Sequence, residues 1–121
     1  MSNSVTKTSI GKIINDFVWS EYKSSQSIYG IAGSSKFKFE FDEFSRMYQA
    51  NLTETAILNF LSSQNGSYGL IVVTDSFIFA ATDHVRSFPI YYVNNPNIFV
   101  VSNCAREAKR SGSIQAISYL G

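Results

Sequence analysis

The sequence predicts an α+β fold in which antiparallel sheet is packed between helical layers. Three observations carry this. Four apolar runs follow one another closely between Tyr68 and Ser102, joined by short connections. Short connections between strands require antiparallel pairing. Apolar stripes at helical spacing occur before and after them. The third is composition: 45% of the 121 residues are hydrophobic and 16% charged, so the chain can bury one core and is not disordered.

Taken in order, Ser9 is a candidate helix cap, because Ile10, Ile13, Ile14 and Phe17 follow at i, i+3, i+4 and i+7. Residues 19–26 carry no clear period. A strand is expected over 27–32, closed by Gly33-Ser34-Ser35 as a turn. Phe37, Phe39 and Phe41 alternate with Lys38 and Glu40, which reads as a strand with one buried face. Asp42 would then cap a short helix carrying Phe44, Met47 and Tyr48.

The next helix has Asn51 as N-cap, Glu54 three residues on, and Leu52, Ala56, Ile57, Phe60 and Leu61 as its apolar stripe. Asn65-Gly66 ends it, Gly66 supplying a left-handed residue. Strands are expected at Tyr68–Thr74, 77–82, 90–93 and Ile98–Ser102, with turns at Asp75-Ser76 and Asn94-Asn95-Pro96-Asn97. Strands with so few polar positions need cover on both faces. A helix over 105–110, capped by Asn103 and stopped by Gly112, is one such cover. Residues 114–120 look like the start of a further helix.

Composition excludes more functions than it suggests. Ten Lys and Arg against nine Asp and Glu give a net charge of +1, which argues against nucleic-acid binding. One Cys leaves no intramolecular disulfide, and one His leaves no multi-His metal cluster. The polar start, Met1 to Ser9, lacks a signal-peptide pattern, and no apolar run approaches ~20 residues. A cytoplasmic protein without membrane association is expected, and Asn51-Leu52-Thr53 and Asn65-Gly66-Ser67 are then chance glycosylation sequons.

Single residues invite sharper readings, each weaker than its plain one. His84 has no Cys or Ser partner in sequence context and reads as a surface residue rather than a general base. Cys104 lies at a helix start, where a thiol can be activated, but single cysteines in helices mostly pack as small apolar groups. Asp83 and Arg86 read as a loop-local ion pair or turn hydrogen bond rather than a ligand site. Gly66-Ser67-Tyr68-Gly69 has the wrong spacing for a nucleophile elbow. The many Phe and Tyr residues read as core rather than as base-stacking platforms.

One resemblance points to function. The run from Asn65-Gly66-Ser67-Tyr68-Gly69-Leu70 to Val73-Thr74-Asp75, with Phe79-Ala80-Ala81-Thr82-Asp83 and Pro89-Ile90-Tyr91-Tyr92, resembles the asparagine synthetase family. The family pattern there is apolar residues, Arg-Asp, a short loop, then Pro-Leu-Tyr-Tyr. Asp83, Pro89, Tyr91 and Tyr92 match, and Thr82 replaces the Arg. Phe99-Val100-Val101-Ser102 resembles the strand that ends in Ala-Ser-Glu, with Asn103 replacing the Glu. The similarity covers roughly residues 56–110.

The resemblance implies an N-terminal class II glutamine amidotransferase domain with the N-terminal-nucleophile hydrolase sandwich, two antiparallel sheets between helices. In active members a Cys exposed by removal of the initiator Met attacks the glutamine amide, and ammonia passes to an ATP-dependent synthetase domain. This chain has Ser2 there, followed by Asn3-Ser4-Val5, and the family's Arg-bearing strand and Asn-Gly-Glu segment have no counterpart. Thr53, or Glu54, stands where the family's glutamine-holding acid would be. The expectation is therefore a degenerate domain over residues 1–112, with no catalytic, metal or cofactor site of its own. Residues 113–121 would begin a linker helix toward a synthetase domain, the expected partner in cis or in trans. Relatives that lack the Cys include β-lactam-forming synthetases and lasso-peptide cyclases, in which the domain scaffolds an amide-forming ligase. The alternative is a free-standing interaction module with the same fold. Ile114, Ala116, Ile117, Tyr119 and Leu120 crowd apolar residues at the end of the sequence, so this segment is expected either to dock on the domain or to cover an interface, and a second copy of the chain is a candidate partner.

Overall fold

The computed structural model describes residues 8–16, 18–23, 27–48, 52–64, 66–83, 87–110, 115–117 and 119–120. The elements are β1 (Thr8–Lys12), β2 (Trp19–Lys23), β3 (Ser27–Gly33), α1 (Ser35–Tyr48), α2 (Glu54–Ser62), β4 (Tyr68–Thr74), β5 (Ile78–Thr82), β6 (Ile90–Asn94), β7 (Ile98–Ser102), α3 (Ala105–Lys109), β8 (Gln115–Ile117) and β9 (Tyr119–Leu120). They form a four-stranded sheet in the order β1-β7-β6-β8 and a five-stranded sheet in the order β2-β3-β4-β5-β9. Every pairing is antiparallel except β1 with β7, which is parallel.

Alternation along the strands builds the layers. In the five-stranded sheet, Tyr29, Ile31, Leu70, Val72, Phe79 and Ala81 face α1 and α2. Their neighbours Ala32, Ile71 and Ala80 face Ile90 and Val101 of the other sheet, with the Trp19 indole between. The far side of the four-stranded sheet, Val93 and Val100, is covered by Ala108 of α3. The stacking is thus helix, sheet, sheet, helix, and both sheets are covered on both faces as their apolar runs require.

The strands Tyr68–Thr74 and Ile98–Ser102 lie where the sequence puts them, and the strands expected at 77–82 and 90–93 differ only at one end. Phe77 belongs to the turn: its carbonyl accepts the Thr74 N–H, and its own N–H donates to Thr74 Oγ1. Asn95 Oδ1 closes the next turn on the N–H groups of Asn97 and Ile98.

Six expectations are corrected. The helix drawn from Ser9 through Ile10, Ile13 and Ile14 is instead strand β1. Two turns are too short to hold a helix without packing, and β7 offers a complete main-chain partner. Ile10 then packs beside Val93 and Val100, and Ile13 packs between the sheets, so the two residues serve different cores. Phe17 of that stripe lies outside the described residues.

The Phe37-Phe39-Phe41 strand is the start of α1. Residues 37 and 41 share a face under either period, and Phe39 separates the two: it is 64% exposed, whereas Phe41 is fully buried. Phe44 and Tyr48 continue the helical face, with Phe41, Phe44 and Phe60 rings in mutual contact. Ser34, not Asp42, caps the helix, its Oγ accepting the Phe37 N–H at 3.1 Å. Gly33, at φ +140°, makes the turn from β3 into this cap. Asp42 sits within the helix, paired with Arg46.

Helix α2 is capped by Thr53, whose Oγ1 accepts the Ala56 N–H at 3.2 Å; the expected cap Asn51 lies outside the described residues. The helix ends at Ser62, and Gly66, at φ +111°, follows. Asn103 does not cap α3, whose N-cap is Cys104. Its side chain instead accepts the Ile14 N–H and donates to the Ile14 carbonyl, both at 2.8 Å, fixing the chain that leaves β1. The helix expected over 114–120 is also replaced, by β8 on β6 and β9 on β5. Open sheet edges offer that segment main-chain partners, which a short helix in water lacks. Of the two alternatives for this segment, it is docked on the domain.

Helix α1 is tied to the sheet by Tyr29, whose hydroxyl donates to Asp42 Oδ1 at 2.6 Å. Burial first, and the Asp42 carboxylate second, push the Tyr29 phenol up to about 12. The folded chain therefore keeps a proton that the unfolded chain releases near its ordinary value of 10. Stability from this bond should be complete below pH 10 and fall as the pH rises toward 12. Denaturant midpoints measured across that range should show the fall, and Tyr29→Phe should flatten it. A second comparison tests the helical face: Phe41→Ala should cost about 3–5 kcal/mol in urea unfolding, whereas Phe39→Ala should stay within about 0.5 kcal/mol. Equal costs would restore the strand reading.

Candidate functional site

Polar side chains gather at one end of the five-stranded sheet. There β3 ends at Gly33, β4 begins at Tyr68 and β5 ends at Thr82. The end of α2 and the first turns of α1 close over the same end. Between them is a cleft of about 410 Å³ lined by Ser34, Lys36, Phe37, Glu40, Ser63, Gln64, Gly66, Ser67 and Tyr68.

Asp83 organises this end. It is buried, and its two carboxylate oxygens reach different segments: Oδ2 accepts the Tyr68 N–H and Oδ1 the Ser87 N–H, both at 3.0 Å. The Asp83 N–H donates back to the Tyr68 carbonyl at 3.2 Å. The buried Thr82 hydroxyl donates to the Asp83 carbonyl, and Ser87 Oγ reaches Ser67 Oγ at 2.9 Å. A carboxylate is suited to this work because it accepts from several donors at once, and charge-assisted bonds are the stronger ones. The expectation of a turn hydrogen bond at Asp83 holds; Arg86 and His84 lie outside the described residues, as does Ser2.

The serine hydroxyls around the cleft are engaged with main chain or with another serine. Ser34 caps α1, Ser63 donates to the Phe60 carbonyl, and Ser67 pairs with Ser87. Among the described residues, none of these three has a His or carboxylate placed to take its proton. Thr53 uses its side-chain oxygen as the α2 cap, and Glu54 begins that helix. Cys104 belongs to another layer, at the start of α3 on the far side of the four-stranded sheet, where its N–H donates to Ser102 Oγ. Among the described residues no cluster of His, Cys, Asp and Glu could hold a metal ion. Nor, among them, is any helix long and apolar enough to cross a membrane.

Of the residues that carry the resemblance, Tyr91 packs beside the α3 layer and Tyr92 between the sheets. Ser102 is fully buried and turns the chain from β7 into α3. These positions hold the frame rather than line the cleft. The cleft residues come from two separate stretches, 34–40 and 63–68, and are mostly ordinary polar residues at helix and strand ends, so no spacing in the sequence marks them. Comparison with protein-family models, with curated proteins and with solved structures finds no match to this chain.

The clamp at Asp83 has a measurable consequence. Asp83→Ala leaves two N–H groups without their acceptor and should cost about 2–4 kcal/mol in denaturant unfolding. Asp83→Asn, which keeps one carbonyl oxygen as acceptor, should cost less. No loss in either variant would mean that the carboxylate is dispensable to the fold and free for another role.

Proposed function

We propose that this chain is a non-catalytic glutamine-amidotransferase-like domain that scaffolds an ATP-dependent, amide-forming synthetase domain of the asparagine synthetase type, in cis or in trans. The β-lactam synthetase and lasso-peptide cyclase kinds are the nearest in character, because their domains also lack the nucleophilic Cys. The observation that carries the reading is the use made of the matched residues. Asp83 spends both carboxylate oxygens on main-chain N–H groups, and the segments on either side of it form β4, β5 and β6 at the centre of a helix, sheet, sheet, helix stack. Of the matched residues, Tyr91, Tyr92 and Ser102 pack in the frame of this fold, while Gly66, Ser67 and Tyr68 line the cleft. At the positions where its chemistry would sit, Ser2 replaces Cys and Thr53 is a helix cap.

A free-standing interaction module of the same fold is the second reading, and one observation favours it. Residues 115–117 and 119–120 pair with the domain's own two sheets rather than running outward as a helix.

The coding frame downstream of Gly121 separates the two. A continuing frame with a Ser-Gly-Gly-x-Asp-Ser pyrophosphate loop supports the scaffold, and a stop codon supports the module. Purified chain should release no glutamate from glutamine under either reading. A rate near ~1 per second, abolished by Ser2→Ala, would overturn both and make Ser2 a nucleophile.

A further inference from the structure

Strand β2 is an edge of the five-stranded sheet: among the described residues it pairs with β3 alone. Its main-chain groups alternate between facing β3 and facing outward. The Trp19 N–H donates to Asp16 Oδ1 at 2.7 Å, and the Trp19 carbonyl accepts the Asp16 N–H at 3.0 Å, so Trp19 is an outward position already taken. Lys38 Nζ reaches the Val18 carbonyl and Ser20 Oγ, guarding the same end of the strand. By alternation the remaining outward positions are Glu21 and Lys23. Neither side chain has an ion-pair partner among the described residues. Between them, Tyr22 stacks on Tyr29 at 5.2 Å and is still 38% exposed.

We propose that β2 is a self-association edge, on which a second copy of this chain pairs its own β2 antiparallel about a two-fold axis through Tyr22. One register meets every local requirement. With Tyr22 opposite its symmetry mate, Glu21 of each copy faces Lys23 of the other, and each such pair exchanges both main-chain hydrogen bonds. Opposite charges then lie directly across the strands, the favourable arrangement for a cross-strand pair. On the other face the two exposed Tyr22 rings meet and cover each other. A register centred on Glu21 sets two carboxylates face to face and needs Trp19, which Asp16 holds. A register shifted by one residue sets outward groups against inward ones. Strand β1, the edge of the other sheet, has no such complement: centred on Ile10, it sets Ser9 against Gly11. The dimer proposed is isologous, as a two-fold contact must be, and small, so weak. It stands independently of the synthetase-scaffold reading.

Sedimentation equilibrium of the full chain tests it. The wild type should show reversible association from 13.5 kDa to twice that mass, with a dissociation constant on the order of 100 μM. Glu21→Lys places Lys opposite Lys, and Lys23→Glu places Glu opposite Glu. Each should weaken the dimer roughly tenfold or more. The double variant E21K/K23E restores both opposite-charge pairs and should recover association to near the wild-type value. Both positions are surface-lying, and circular dichroism checks that each variant is folded. A chain that stays monomeric into the millimolar range overturns the proposal, as does a dimer indifferent to the single swaps or one that the double variant fails to restore.

Discussion

Burial of β4 on both of its faces is the constraint on which the rest of the molecule depends. Leu70, Ile71 and Val72 are completely buried, and they point alternately to opposite sides. A strand with apolar side chains on both sides cannot stand at a surface, so two layers must close on it at once. Helices α1 and α2 supply one, through Phe37, Phe41, Ile57 and Leu61; the four-stranded sheet supplies the other, through Ile90 and Val101. The close approach is visible at Gly69, where a Cβ would lie 2.7 Å from the Trp19 ring and 2.9 Å from Phe88. No larger residue fits there without moving the indole that fills the space between the sheets.

Polar residues then decide how the chain enters and leaves these layers. Side chains tie the chain where strands end: Asp83 to Tyr68 and Ser87 and Ser34 to the first turn of α1 at the cleft, and Asn103 to Ile14 away from it. Such groups resemble a functional site, since they are polar, clustered and partly buried. Their described bonds run mostly to the chain's own backbone, which ties strand and helix ends together. Catalytic groups need capacity left for a substrate.

The second half of the chain was largely legible in the sequence, and the reason is physical. Between Tyr68 and Ser102 the turn chemistry is strong and the runs are too short and too closely spaced for helices, so local and global preferences agree. The first half misleads because local periods are ambiguous there. Phe37 and Phe41 fit a strand and a helix equally well, and only the exposure of Phe39 separates them. Ile10 and Ile13 look like one helical face yet serve opposite sides of a sheet. Asn103 has the chemistry of a cap, but a partner 89 residues away in sequence claims it. The polar cleft was not legible at all, because Ser34, Lys36, Glu40, Ser63 and Ser67 meet only when two helices and a strand converge.

The edges of the two sheets show the same competition between local and distant partners. Segments 115–117 and 119–120 close β6 and β5, whose edges would otherwise expose rows of unpaired main-chain groups. A helix would have satisfied that backbone internally but left both edges open, so the strand form serves two sheets with one stretch of chain. At the opposite edge, Asp16 and Lys38 occupy the main-chain groups where β2 begins and leave those at its far end. Asp16 is fully exposed, and the Trp19 and Val18 N–H groups it accepts hold its carboxyl below the usual carboxylate range. A lowered carboxyl contributes stability above its unfolded value and loses it as the pH falls, so the guard on this edge weakens in acid. The five-stranded sheet is thus edged on one side by a two-residue strand of its own chain and partly guarded on the other. That asymmetry follows from Asp16, just before β2, and Lys38, on α1, and the apolar pattern that builds the core does not determine it.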